Sequence, residues 1–395
     1  MQQVLQVSAK LSEGGAAGVA RTLADELRSL GIRSPFAYGY GRRGRESHLE
    51  HQYDGVRITP GPIAALNRTN YGLMGRETRL QSRRRWEQLE QAVLQSDIVH
   101  LHILHSYFAE TSQLFDLLER ANKPVVWTLH DQWIMTGRCA QPAGCELWRS
   151  GCKSCPDLKA YPPARIDHAA ARWSERRSAL ERLQNNVDIK FVACAEWLAE
   201  AARSSGLRDV RTITNSVDRE FWTTARITKR FKSDLTRNLF ICRDLRDPKK
   251  VAGAALSAIE ALPNQTLTVM GDDPPADLRY TRHVPATGDR STIARTMVEH
   301  DRLIFTSDVD YFPLTIAEAL TAKLQVIALD SPAAREFARH PLLSIASSKA
   351  ELLSQAKMPL PIASAGESDV MKFAPERMVR KYIGVYEELL ERASS

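Results

Sequence analysis

Hydrophobic and polar positions along this chain follow two alternating periods. Short apolar runs occur at VLQV near the start, SPFAYGYG, DIVHLHIL (97–104), PVVWTLH (124–130) and DIKFVACA. Each is short enough for a strand and too continuous for a half-exposed one, which predicts buried parallel strands. Between them lie segments with apolar residues every three to four positions. GVARTLADELRSLG is the first, and Gly31 ends it as helices commonly end. A second such helix is expected around 81–96, a third at 169–185 and a fourth in EWLAEAARSSG, ahead of a strand end in VRTITNSVD. Strands separated by helices predict a parallel sheet built from βαβ crossovers.

Two stretches interrupt the alternation. Residues 132–168 hold four cysteines, four prolines and little periodicity. Residues 219–236 are polar and charged without a steady period and are expected to be a linker. A second α/β run follows: NLFICRDL, QTLTVMG, RLIFTSD and LQVIAL as strands, with VAGAALSAIEAL and LTIAEALTAK as helices. PERMVRKYIGVYEELLERA closes the chain as a long amphipathic helix. The fold expected is α/β: two doubly wound halves joined by a linker, with a cleft between them. Ligands of open α/β sheets sit at the carboxyl ends of the strands.

With 395 residues the chain is long enough for two or three domains with cores of their own. No run approaches the roughly 18 apolar residues of a membrane helix, and the opening residues lack the pattern of a signal peptide. Six cysteines are too few for a disulfide scaffold. These features exclude an integral membrane protein and a small secreted module, and they predict a cytoplasmic globular protein.

The net charge of +7 is concentrated. Residues 39–85 carry ten arginines (42, 43, 45, 57, 68, 76, 79, 83, 84 and 85) against four acidic residues. Such a patch suits phosphate groups or an anionic bilayer surface. With only Tyr40, Tyr53 and Tyr71 before Trp86 as stacking residues, it suits nucleic acid less. Cys139, Cys145, Cys152 and Cys155 form C-x5-C-x6-C-x2-C. Four thiols so close favour a structural tetrahedral zinc site over disulfides or free thiols, and four cysteine ligands would leave no position open for catalysis. Cys194 and Cys242 lie on apolar runs and are expected to be packing residues.

SDVDYFPLTIAEAL (307–320) sets Asp310 and Glu318 eight positions apart, across a loop and the start of a helix. The free N–H groups near Leu314 and Thr315 suit a diphosphate, and a carboxylate one turn on suits the hydroxyls of a ribose or sugar. The string resembles the E-x7-E motif of retaining GT-B glycosyltransferases of family 4, with Asp310 in place of the first glutamate. The resemblance runs in order along nearly the whole chain. SEGGAAGVARTLADEL is similar to the N-terminal glycine loop and first helix, and VVWTLHD to the strand that ends in an active-site histidine. ITNSVD is similar to I-x-N-G-V-D, with Ser216 in place of glycine, and DLRDPKK to the donor motif D-L-x-D-x-x-K. LHILHSYF and TGRCAQPAGCELWRSGCKSCP resemble bacterial exopolysaccharide transferases of the colanic-acid-cluster type.

The resemblance implies a GT-B fold of two Rossmann-like domains. Residues 1–225 would form the acceptor domain, with its Cys-rich insertion at 132–168. Residues 226–374 would form the nucleotide-sugar donor domain, and a helix at 375–395 would pack back on the first. It implies a retaining hexosyltransferase that moves a sugar from a UDP- or GDP-linked donor to a lipid-linked saccharide in surface polysaccharide or lipopolysaccharide synthesis. Such an enzyme would be peripheral at the inner leaflet, held there through residues 42–85, with no catalytic metal and no nucleic acid partner. Lys250, with Arg243 or Arg246, would face the diphosphate. Gly14 and Gly15 would let the first loop approach it. Glu318 would hold the ribose, Asp310 the donor-sugar hydroxyls, and His130 would sit beside the donor sugar. One of His100, His102 and His105 would line the acceptor cleft. Two other readings are a zinc-containing nucleic-acid-binding protein and a degenerate GT-B protein that binds sugar without turnover.

Overall fold

A computed structural model of the chain describes residues 1–395 except 42–44, 78–79, 106, 232, 361–363 and 395. Arg42, Arg43 and Arg79 of the arginine-rich segment therefore lie outside the described residues. The chain divides into two compact units. One comprises Met1–Ile213 with Val379–Ser395, and the other Thr214–Met378.

The first unit holds a seven-stranded parallel sheet. Its strands are β1 (Val4–Ser8), β2 (Phe36–Tyr38), β3 (Val56–Arg57), β4 (Ile98–Leu101), β5 (Val125–Leu129), β6 (Ile189–Ala193) and β7 (Val210–Thr212), in the order β3-β2-β1-β4-β5-β6-β7. The order reverses between β1 and β4, which places a crevice beyond their carboxyl ends. Strands β1, β4, β5 and β6 are buried along their whole length, as their continuous apolar runs require. Helix Gly15–Ser29 packs Val19, Ala20, Leu23, Ala24 and Leu27 inward at helical spacing. Gly31, at φ +80°, then turns the chain.

The second unit repeats the plan with β8 (Thr236–Asp244), β9 (Gln265–Asp272), β10 (Arg282–Val284), β11 (Arg302–Phe305), β12 (Gln325–Leu329) and β13 (Leu343–Ala346). The order β10-β9-β8-β11-β12-β13 reverses between β8 and β11. Phe240, Leu256, Ile259, Leu267, Val269 and Ile327 lie in its core.

Two segments differ from expectation. The presumed linker 219–236 begins with a helix, Arg219–Ile227. Asp218 caps it by accepting from the Phe221 N–H at 2.8 Å, and Phe221, Trp222 and Ala225 bury one face. The charged residues on its other face concealed that period. The arginine-rich segment likewise contains a helix, Gly61–Met74, which buries Ala64, Asn67 and Tyr71. The stretch 132–168 has no strand, only two short 3-10 turns at Trp133–Met135 and Leu147–Ser150.

Candidate active site

In the second unit the crevice beyond β8 and β11 gathers most of the donor-site candidates. The loop after β8 carries Lys250 and the loop after β11 carries Asp310. Lys250 Nζ donates to Asp310 Oδ1 at 3.0 Å. The Thr306 hydroxyl donates to the Lys250 carbonyl at 2.6 Å, and the Asp308 N–H reaches the Lys249 carbonyl at 3.3 Å, so the two loops are tied together. Burial disfavours the Lys250 ammonium, but the Asp310 carboxylate outweighs it and holds the pKa above the ordinary lysine value. The next helix, Leu314–Thr321, starts after Pro313, whose side chain cannot cap it. Its first N–H groups, on Leu314 and Thr315, have no acceptor within the helix and carry the positive end of its dipole.

Glu318 lies one turn further along, 5% exposed. It pairs with Arg290, at the start of helix Arg290–Val298, and Arg290 also pairs with Asp218. Burial raises the Glu318 pKa and Arg290 opposes it; the net shift is upward. Asp218 thus caps one helix and holds the arginine that holds Glu318. Arg290 belongs to no string the sequence reading singled out. Asp218 closes ITNSVD, but nothing there linked it to Glu318.

Arg246 is not brought to the Lys250–Asp310 pair. It is 60% exposed and bonded to Asp273. Arg243 is exposed near the end of β8.

In the first unit, Gly14 precedes helix Gly15–Ser29 with φ +91°, a conformation that favours glycine, and nothing lies within 4 Å of a Cβ added there. Gly15 is the first residue of the helix. His130 directly follows β5, and its Nε2 lies 3.0 Å from His102 Nδ1. His102 Nε2 in turn meets Gln6 Oε1 at 2.8 Å. His100 bonds Tyr386 and Thr128, at 2.6 and 2.7 Å. The rings of His100 and His102 stack at 4.4 Å, and those of His102 and His130 at 5.3 Å. Burial, helped by the neighbouring imidazoles, pushes His100 down to about 3 and His102 well below the usual range. Burial pushes His130 down to about 4 against the pull of Asp131. All three rings are therefore neutral at pH 7. Of the three histidines left open, His100 and His102 are buried. His105 instead bonds Asp131 at 2.7 Å and lines a small pocket with Tyr71, Tyr107 and Trp133.

The structure does not support the zinc expectation. Among the described residues no group of three or more His, Cys, Asp or Glu side chains is placed to hold a metal ion, and Cys139, Cys145, Cys152 and Cys155 are free thiols. Burial and the neighbouring thiols push Cys139 up to about 11 and Cys152 upward. Cations organise the loop instead. Arg138, 3% exposed, donates to the carbonyls of Asp157, Leu158, Ala160 and Pro162. Arg176 lies 3.9 Å over the Trp133 ring, donates to the Trp133 and Thr136 carbonyls, and shares Glu77 with Arg172. The zinc-based nucleic-acid reading likewise finds no support.

The family model for Glycosyltransferase Family 4 matches residues 13–221, more than half of the chain. The chain belongs to glycosyltransferase family 4. Over 98% of its length it is 29% identical to the whole of WcaC of Escherichia coli (strain K12), provisionally named a colanic acid biosynthesis glycosyl transferase. Among solved structures it is similar over both full chains to Anabaena HepE in complex with UDP and glucose, with TM-score 0.59 and 14% identity. It is likewise similar to the sucrose-phosphate synthase of Thermosynechococcus elongatus, with TM-score 0.63 and 15% identity. WaaG, a glycosyltransferase involved in lipopolysaccharide biosynthesis, is similar over 99% of this chain and 98% of its own, with TM-score 0.53 and 13% identity. With two parallel α/β sheets, the fold is GT-B.

Proposed function

We infer that this protein is a retaining glycosyltransferase that moves a sugar from a nucleotide-diphosphosugar to a lipid-linked saccharide in bacterial surface polysaccharide synthesis. The observation that carries the reading is the Lys250–Asp310 pair in the crevice between β8 and β11, beside the uncapped start of helix Leu314–Thr321. Negative charge develops on the departing diphosphate as the glycosidic bond breaks. A fixed ammonium and fixed N–H dipoles stabilise that charge without having to reorganise, and this is the largest contribution expected. Lys250 supplies the ammonium, and Leu314 and Thr315 supply the dipoles. Asp310 orients Lys250 and accepts from donor-sugar hydroxyls. Glu318, held by Arg290, accepts from the ribose. The acceptor hydroxyl attacks from the face the diphosphate leaves, so no side chain serves as nucleophile. His130 accepts a hydrogen bond from a sugar hydroxyl. The printed names of WcaC and of HepE with UDP and glucose support the substrate class.

The lipid-linked acceptor rests on the exposed side of helix Gly61–Met74. Leu66, Leu73 and Met74 stand 50%, 44% and 54% exposed, with Arg68, Arg76 and Arg84 exposed in the same region. Apolar side chains interleaved with arginines suit an anionic inner leaflet. Among the described residues no helix is long and apolar enough to cross a membrane.

The test is turnover. The enzyme is incubated with UDP- and GDP-sugars and with lipid-linked acceptors, and the anomeric proton coupling of the product is read by NMR. Retention of the donor configuration is expected. Inversion would overturn the mechanism. Sugar binding without any turnover, unchanged in Glu318→Ala, would favour the degenerate sugar-binding reading.

A further inference from the structure

Strand β1 is buried on both faces, yet its central residue is Gln6, 0% exposed. A buried carboxamide has to satisfy two donors and an acceptor. The Gln6 amide nitrogen donates to Ser34 Oγ at 3.0 Å, and Gln6 also bonds the Tyr386 hydroxyl. The amide oxygen faces His102 Nε2 at 2.8 Å.

The proton positions follow in sequence. A carboxamide oxygen only accepts, so His102 carries its proton on Nε2. A neutral imidazole carries a single ring proton, so His102 Nδ1 is a bare lone pair. That lone pair lies 3.0 Å from His130 Nε2, which must then be the N–H. His130 Nδ1 is left as an acceptor, with no partner among the described residues.

We propose that Gln6, acting through His102, is a positioning residue that fixes His130 as its Nε2–H tautomer, so that His130 accepts a hydrogen bond from a saccharide hydroxyl and cannot donate one to a phosphate. The opposite amide orientation would reverse every step and make His130 Nδ1 a donor. The nearby titratable groups are His100, stacked on His102, and Asp131, next to His130. Burial of the two rings keeps the relay uncharged at neutral pH. The inference rests on His130 facing the substrate, as proposed above, but the tautomer itself is measured without substrate.

The experiment is histidine 15N NMR on the full chain, with His130 assigned by comparison with His130→Asn. The wild type is expected to show His130 protonated at Nε2 and unprotonated at Nδ1 at pH 7. Gln6→Met, which keeps the volume and removes the acceptor, is expected to show both tautomers. It should lower kcat about tenfold, the effect of losing one hydrogen bond, with nucleotide affinity unchanged. A wild-type His130 protonated at Nδ1 overturns the proposal, and this reading stands even if Gln6→Met does not fold. A Gln6→Met spectrum identical to wild type overturns the role of Gln6. The predicted tautomers with unchanged kcat overturn the role of His130 toward the saccharide while leaving the donor site intact.

Discussion

Arg290→Met tests whether Glu318 depends on a single arginine. Glu318 is 5% exposed, and Arg290 also pairs with Asp218. Breaking a buried pair by removing one partner costs about 3–5 kcal/mol, because the remaining charge is left desolvated. The Arg290 side chain keeps 29% exposure, so the lower figure of about 3 kcal/mol applies. For a unit the size of Thr214–Met378, each kcal/mol shifts the unfolding midpoint by about 2–4 °C. The expected loss is therefore roughly 6–12 °C at pH 8. The loss also has a pH signature. The folded-state pKa of Glu318 is already raised, so its stabilising form is the protonated one, complete below the unfolded pKa of about 4.3 and lost as pH rises through the folded pKa. Removing Arg290 raises that pKa further. The deficit must therefore be small near pH 4.5 and grow toward pH 8. Adding Glu318→Gln removes the buried charge and should recover most of the stability, but not activity. Scanning calorimetry of the three proteins at the two pH values is the assay. A loss of the same size at both pH values, or no recovery in the double variant, would refute the reasoning.

Three further outcomes are expected. Arg138→Met removes donors from four carbonyls of the 157–162 stretch; it should make residues 136–162 sensitive to limited proteolysis, whereas a zinc chelator should leave the wild type's proteolytic pattern and midpoint unchanged. Leu66→Ser with Leu73→Ser should weaken flotation with anionic vesicles several-fold without changing turnover of a water-soluble acceptor, and raised salt should weaken wild-type binding as well. Asp310→Asn should lower kcat by at least tenfold, the order expected when a charge-assisted hydrogen bond is lost, while nucleoside diphosphate still binds, because Lys250 keeps its charge.

What could be read from the sequence was what local pattern encodes. The apolar runs of β1, β4, β5 and β6 are uninterrupted because parallel strands are covered on both faces, and that regularity gave the fold class. Lys250, Asp310 and Glu318 were visible because they fall in strings with fixed spacing. Arg290 was not, since its partners Asp218 and Glu318 lie far from it in sequence and only folding brings them together. Gln6 lay within a recognised strand, but its meaning depends on facing His102, 96 positions away. Helix Arg219–Ile227 was hidden because five of its nine residues are charged or β-branched polar and only one narrow face is apolar. The zinc reading of the cysteine spacing found no support for a related reason. Spacing reports proximity along the chain, whereas a metal site needs three or more ligands placed around one point, and among the described residues no such group forms.

The central claim is that the Lys250 crevice takes a nucleotide diphosphate. Calorimetric titration of UDP and GDP into the wild type and Lys250→Ala tests it most directly. One nucleotide should bind in the micromolar range, and the variant should lose at least tenfold, the order expected for a charge-assisted bond to phosphate. Failure of both nucleotides to bind, or equal affinity in the variant, would contradict the account.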